Sequence, residues 1–206
     1  MNGFGKNSQE DEKEEKEKPG GNLTDKLLKA RKIVVSSEVD SKLANKVVHQ
    51  LLLLEQEDPD SPITMFINSP GGEIFSGFAI YDMMQFIKPV VRTVVMGFAA
   101  SMGSILSVGG APGHRFALEN SMILIHQPLI SGVYRGSAAD IEIQAKEMIN
   151  TKNKIINIYV EATGKSYEDV KADIDRDYWM TAQQAADYGP KSLIDKVITS
   201  SADLDG

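Results

Sequence analysis

Three residues in this chain have the chemistry of an activated hydroxyl nucleophile. They are Ser101 in Gly97-Phe98-Ala99-Ala100-Ser101-Met102-Gly103, His126 closing Ile123-Leu124-Ile125-His126, and Asp177 in Asp175-Arg176-Asp177-Tyr178-Trp179. A serine hydroxyl is a weak nucleophile until a base takes its proton. An imidazole can act as that base, and a carboxylate can hold the imidazole in one tautomer. The order Ser, His, Asp says little, because the constellation recurs on unrelated folds in several orders. Local context says more. Ser101 follows the apolar run from Val90 to Met96 and opens the apolar segment from Met102 to Val108. A serine between a buried strand and a helix stands beside backbone N–H groups that have no intrahelical acceptor, where negative charge is stabilised.

Each residue also has a plainer reading. A serine before an apolar helix is commonly an N-cap. Of the three histidines, His49 lies on an amphipathic segment and His114 in the turn Ala111-Pro112-Gly113-His114, whereas His126 ends an apolar strand. That is the edge at which α/β proteins place functional groups, although a hydrogen-bonded structural histidine suits it equally. Asp173, Asp175 and Asp177 could form a solvated helix face. Asp177 is set apart because Tyr178-Trp179-Met180 follow it and turn the chain into the core, where a buried carboxylate needs a partner such as an imidazole N–H. Ser69-Pro70-Gly71-Gly72 is a strand-to-helix turn with two residues lacking Cβ, either a tight turn or a backbone that closely approaches a ligand. No Lys-Ser/Thr pair or third glycine makes it a phosphate loop. Ala99 occupies the first glycine position of a Gly-x-Ser-x-Gly elbow, which disfavours an α/β-hydrolase.

The elements that position these residues alternate. A short helix spans 27–31, a strand 32–35, and an amphipathic helix 41–56 with Leu43, Val47, Leu51 and Leu54 on one stripe. A strand at 63–67, a helix at 75–86 stopped by Pro89, and a strand at 90–96 follow, with short strands around 115–117 and 122–125 after the Ser101 helix. Such alternation implies a largely parallel α/β sheet. The last third reads as mostly helical. Ser137 caps a long helix with Ile141, Ala145, Met148, Ile155 and Tyr159 at helical spacing and Gly164 as its stop. Thr181-Ala182-Gln183-Gln184 is a capping box, with Gly189-Pro190 ending the helix it opens. No internal repeat is present.

The 206 residues suffice for one domain with a sizeable core. A net charge of −7 argues against nucleic acid as a partner. The absence of cysteine excludes disulfides, thiolate metal sites and a thiol nucleophile. Apolar runs are too short to span a bilayer, and the polar start lacks the apolar core of a signal peptide, so a cytoplasmic location is expected. Residues 1–21 stand apart. Glu10 to Lys18 is an unbroken run of nine charged residues followed by Pro19-Gly20-Gly21. Such a segment buries too little apolar surface to offset the entropy of ordering it, which predicts a disordered tail ahead of a domain at 22–206.

Several segments together resemble the Clp protease proteolytic-subunit family (ClpP). They are Phe66-Ile67-Asn68-Ser69-Pro70-Gly71-Gly72, Ala79 through Pro89, Ala99-Ala100-Ser101-Met102-Gly103, His126-Gln127-Pro128-Leu129, Asp140-Ile141-Glu142-Ile143 and Arg176-Asp177. The resemblance covers residues 25 to 200. It implies a ClpP/crotonase-like α/β fold with repeated β-β-α units, a largely parallel sheet, and a protruding helix-plus-strand handle. It further implies a serine endopeptidase with Ser101 as nucleophile, His126 as base then acid, Asp177 as orienter, and the N–H groups of Gly72 and Met102 as oxyanion hole, with no metal and no cofactor in the chain itself. Two stacked seven-membered rings are implied, with the segment from Gly132 to Ser137 and the long helix as the handle, and Arg176 in the ring–ring contact. The implied partners are an AAA+ Clp unfoldase of the ClpX, ClpA or ClpC type, which uses the ATP, and unfolded protein substrates. The unfoldase docks at Phe66, Phe86, Val94, Met96, Phe116, Leu118 and Ile198.

Departures from the family pattern lie at the charged N-terminus, at Thr64 where an aromatic is common, around Ser131-Gly132-Val133, and at Pro190-Lys191-Ser192. Two other readings stay open: a non-catalytic or latent structural subunit of a mixed ring, and a crotonase-type acyl-CoA enzyme using the same backbone donors with carboxylates as acid and base. Limited proteolysis followed by mass spectrometry is expected to remove residues 1–21 before any cut occurs in the domain. Survival of the full-length mass would overturn the disorder expectation.

Overall fold

A computed structural model describes residues 23–129 and 135–204. The N-terminal tail and Ser131-Gly132-Val133 therefore lie outside the described residues. In chain order the elements are α1 (Leu23–Lys29), β1 (Lys32–Val35), α2 (Ser41–Glu57), β2 (Ile63–Ser69), α3 (Ile74–Phe86), β3 (Val91–Ala100), α4 (Met102–Val108), β4 (Arg115–Leu118), β5 (Met122–Ile125), α5 (Ala138–Thr163), α6 (Tyr167–Asp173), β6 (Tyr178–Thr181), α7 (Ala182–Ala186) and β7 (Lys196–Ile198). A short 3-10 helix, Ser201–Leu204, follows. The expected mixed α/β architecture with a largely parallel sheet is borne out.

The strand order is β1-β2-β3-β4-β7, and β5 joins the far end of β3. The sheet therefore forks along β3. Thr93 to Val95 pair with β4, whereas Phe98 to Ala100 pair with β5. Gly97 at the fork has φ 76°, and a Cβ there would crowd Asn68 Oδ1 at 2.7 Å. This fork lengthens β3 to Ala100, four residues beyond the apolar run. Every pairing is parallel except β5 with β6.

Burial follows the alternation of side chains across each strand. Ile63, Met65 and Ile67 face a core built with Val47, Leu51 and Leu54 of α2 and Ile80 and Met84 of α3. Phe66, Val94 and Phe116, level across three strands, face the other way and form a small cluster with Ile198, packed by Leu204. All seven residues of α4 are buried, which explains its lack of any charged residue.

The C-terminal third departs from the helical expectation. Between α6 and α7 lies β6, a four-residue element in which only Met180 is buried, so no alternation signals it. The helix opened by Thr181 has its capping box but ends at Ala186 instead of running to Gly189. The capping box of Ser137 with Asp140 and the left-handed cap at Gly164 hold as expected. The buried residues of α5 are Thr151, Ile155, Ile156, Tyr159 and Thr163, all in its C-terminal half, while Ile141, Ile143 and Ile149 are exposed.

One buried ion pair joins β4 to the segment just before β7. Arg115 donates to both carboxylate oxygens of Asp195, from Nη2 at 2.5 Å and from Nε at 2.9 Å, and also to the carbonyls of Ala162 and Lys191. Removing one member leaves the other charge buried without its partner, which typically costs about 3–5 kcal/mol. Asp195→Ala is expected to lower the denaturation free energy by about that amount at fixed protein concentration. A shift below about 1 kcal/mol in a denaturant titration would contradict this.

Candidate active site

Strand β3 ends at Ala100 and α4 begins at Met102, which leaves Ser101 to make the whole turn. Its backbone has φ 54° and ψ −122°, a conformation that L-residues avoid and that typically costs about 1–3 kcal/mol. The surroundings hold it there. The Ser101 N–H donates to the Leu124 carbonyl of β5 at 3.0 Å. The Ser101 carbonyl accepts from the Ser104 N–H at 3.0 Å and from the Ser104 hydroxyl at 2.6 Å. Ser101 therefore is not an N-cap in the usual sense, since its side chain makes no capping bond.

The glycine turn after β2 packs directly onto this elbow. A Cβ on Gly71 would lie 2.6 Å from Ser101 Cβ and 2.9 Å from the Met102 nitrogen. On Gly72 it would collide with the Val39 carbonyl. The turn is fixed from Val39, whose N–H donates to the Gly71 carbonyl and whose carbonyl accepts from the Glu73 N–H, each at 2.7 Å. Ser69 adds a second tether, with its hydroxyl donating to the Ser37 carbonyl at 2.6 Å and accepting from the Gly71 N–H at 3.2 Å. These bonds use the N–H groups of Gly71 and Glu73 and leave that of Gly72 out. Gly72, Ser101 and Met102 all line one cleft of about 660 Å³.

Strand register brings the other two polar residues to the same place. Parallel pairing of Ala100 with Leu124 sets Ser101 beside the end of β5, so His126 follows directly. Antiparallel pairing of Ile125 with Tyr178 then sets Asp177 opposite His126. The His126 Nδ1 and Asp177 Oδ1 atoms are 3.4 Å apart, an ion-pair distance longer than a well-formed N–H···O bond. The expectation of a buried Asp177 is corrected: its side chain is 65% exposed, against 15% for His126. Asp177 directly precedes β6, which pairs only with β5 at the sheet margin. Among the described residues, the Ser101 hydroxyl makes no hydrogen bond to His126, a looseness common where a substrate completes the contact.

Sequence reasoning missed Gln127. Its N–H donates to the Ile174 carbonyl at 2.6 Å and its Nε2 to the Asp175 carbonyl at 2.7 Å, so it anchors the turn that presents Asp177. Lys152 of α5 donates in turn to Gln127 Oε1 at 2.8 Å. The only sequence signal was adjacency to His126. The cleft beyond Ser101 is walled by Ile74, Phe75, Ile105, Leu124, Ile155 and Leu129, an apolar lining suited to apolar side chains.

The remaining expected residues separate into groups. Phe66, Val94, Phe116 and Ile198 come together in the outer-face cluster, three of them buried, and Thr64 is buried as well. Leu118 is part-exposed at the edge of the same sheet face, and Phe86 is 78% exposed at the end of α3, outside that cluster. Met96 is half-buried and Arg176 exposed. Among the described residues, no cluster of three or more His, Asp or Glu is placed to hold a metal, and no helix is long and apolar enough to cross a membrane.

The family model described as Clp protease matches residues 15–201. A curated relative, the ATP-dependent Clp protease proteolytic subunit 1 of Protochlamydia amoebophila (strain UWE25), is 52% identical over 179 residues. That alignment covers 87% of this chain and 85% of the relative.

Two glycines separate backbone strain from crowding. Gly113 has φ 83°, and a Cβ added there would meet nothing within 4 Å, so Gly113→Ala is expected to cost only about 1 kcal/mol. Gly72 has φ 146° and meets the Val39 backbone, so Gly72→Ala should lower the thermal midpoint distinctly further. Equal shifts for the two variants in differential scanning would refute the close packing of this turn.

Proposed function

The chain belongs to the Clp protease family and is a Clp peptidase, and from that footing we propose that it is a serine endopeptidase using Ser101, His126 and Asp177. The observation that carries this reading is the meeting, at one cleft also lined by Gly72 and Met102, of a strained serine and an imidazole paired at 3.4 Å with a carboxylate. His126 takes the Ser101 proton as the hydroxyl attacks a peptide carbonyl, then returns it to the leaving amine. Asp177 holds the Nδ1–H tautomer and stabilises the imidazolium. The Gly72 and Met102 N–H groups receive the developing oxyanion, and loss of one such donor typically costs about 10²–10³ in rate. Water then hydrolyses the acyl-enzyme with His126 again as base.

Assembly fits this reading. In a single chain, Asp177 stands largely in solvent, and the apolar N-terminal half of α5 is uncovered. Exposed apolar surface of that kind marks interaction sites. Two stacked heptameric rings would pack α5 against the facing ring. Arg176, next to Asp177, would make the ring–ring contact that fixes the acid. Enclosure would supply selectivity, since an apolar cleft recognises side chains only loosely. An AAA+ Clp unfoldase would feed unfolded polypeptide, docking beside the cluster of Phe66, Val94, Phe116 and Ile198.

A fluorophosphonate probe tests the chemistry. Mass spectrometry is expected to find the adduct on Ser101, with labelling abolished in Ser101→Ala and His126→Ala. Asp177→Asn should reduce peptide hydrolysis by about 10²–10⁴-fold. Ser101→Ala should leave the oligomer intact in analytical ultracentrifugation. No adduct on assembled rings would instead indicate a latent or structural subunit.

A further inference from the structure

Tyr159 is fully buried, so its hydroxyl needs a hydrogen-bond partner at that depth. Its oxygen lies 2.7 Å from Ser104 Oγ, and Ser104 is itself completely buried. The Ser104 hydroxyl in turn donates to the Ser101 carbonyl at 2.6 Å. A serine hydroxyl has one proton. Since the carbonyl can only accept, that proton is committed to Ser101, and Tyr159 must be the donor to Ser104. The direction is therefore fixed: Tyr159 O–H to Ser104 Oγ, Ser104 O–H to the Ser101 carbonyl. Burial pushes the Tyr159 phenol well above its ordinary range, so it stays a neutral donor throughout the working pH range.

The acceptor of this relay belongs to the peptide unit that joins Ser101 to Met102. Peptide units are planar, so the direction of the Ser101 carbonyl sets the direction of the Met102 N–H at the opposite edge. Hydrogen bonds in series also polarise one another, and a donor on the carbonyl strengthens the N–H across the same unit. The strained backbone at Ser101 makes such a restraint useful, because the relaxed alternative would turn this peptide away. We infer that Ser104 and Tyr159 are positioning residues that orient and strengthen the Met102 N–H as an oxyanion donor. Tyr159 acts only through Ser104.

This rests on the peptidase reading, and its test separates the two. Steady-state hydrolysis of a fluorogenic peptide by the full-length assembled protein would be measured for Tyr159→Phe, Ser104→Ala and the double variant. Tyr159→Phe is expected to lower kcat about three- to tenfold, and Ser104→Ala about 10- to 100-fold. KM and the pH of half-maximal kcat/KM should stay unchanged, because Tyr159→Phe keeps the ring that lines the cleft and removes only the hydroxyl turned to Ser104, and His126 is untouched. The double variant should match Ser104→Ala within about twofold, as expected for two residues acting in series. A kcat for Tyr159→Phe within about twofold of the unsubstituted protein would overturn the relay, as would multiplying effects in the double variant or losses confined to KM. Should Ser104→Ala fail to assemble, Tyr159→Phe carries the test alone, since Ser104 keeps its acceptor in that variant. No hydrolysis and no probe labelling by the unsubstituted protein would overturn the peptidase reading, and the relay's catalytic role with it.

Discussion

A serine at φ 54° and ψ −122° does not hold itself. Its conformation is the constraint on which the site depends, because it lets a ten-residue strand pass into a buried helix with no loop between them. Three layers of backbone converge to impose it. Strand β5 takes the N–H, the first turn of α4 takes the carbonyl, and the Gly71-Gly72 turn fills the space above. Only glycine allows the last contact, and Gly103 repeats the device two residues beyond Ser101. A Cβ there would meet the Ser69 carbonyl at 2.8 Å. Gly71, Gly72 and Gly103 are thus the local condition for a nucleophile that stands clear of its own helix.

The candidate triad is built to different degrees of completion. Ser101 and His126 directly follow adjacent parallel strands of the sheet, so their relation is fixed by ladder hydrogen bonds. Asp177 immediately precedes a four-residue antiparallel strand at the margin and stays mostly in solvent. An exposed carboxylate interacts weakly across a high dielectric, and a dry contact would strengthen the same pair severalfold. The fold thus leaves the acid as the member whose strength depends on what covers it. The uncovered apolar residues of α5 point to the same need for further packing, by the independent criterion of hydrophobic exposure.

Much of this was legible in the residues. Apolar patterns located most strands and helices up to residue 125, because buried parallel strands are continuous apolar runs. The first helix, expected at 27–31, runs instead from Leu23 to Lys29 and gives way to a turn at Ala30 and Arg31. The capping boxes at Ser137 and Thr181 and the stop at Gly164 were readable because caps are local chemistry. What escaped was set by tertiary pairing. The extension of β3 through Gly97 depends on β5 taking over from β4 as partner, and β6 exists because β5 offers it an edge. The exposure of Asp177 was misjudged for the same reason. Its apolar neighbours Tyr178 and Trp179 are themselves part-exposed at the sheet margin, so they do not draw the carboxylate into the core. Ser104 and Tyr159 carried no signal, being an ordinary small residue and an ordinary core aromatic until the fold put their hydroxyls together.

One helix touches the site at both ends. Tyr159 of α5 reaches the elbow through Ser104, and Lys152 reaches the acid turn through Gln127. Seven residues separate the two, which is two turns of helix, so both project from one face about 10 Å apart. The nucleophile's peptide and the turn that carries Asp177 are therefore referenced to the same rigid rod. They are not tied to each other only through the sheet. The N-terminal half of that rod extends beyond the core, with its apolar residues uncovered. Packing that half against another subunit would fix the rod's position, and through two hydrogen-bonded contacts it would fix the elbow and the acid turn together. A helix that belongs partly to the core and partly to an interface gives assembly a direct mechanical hold on catalytic geometry, with no separate switch required.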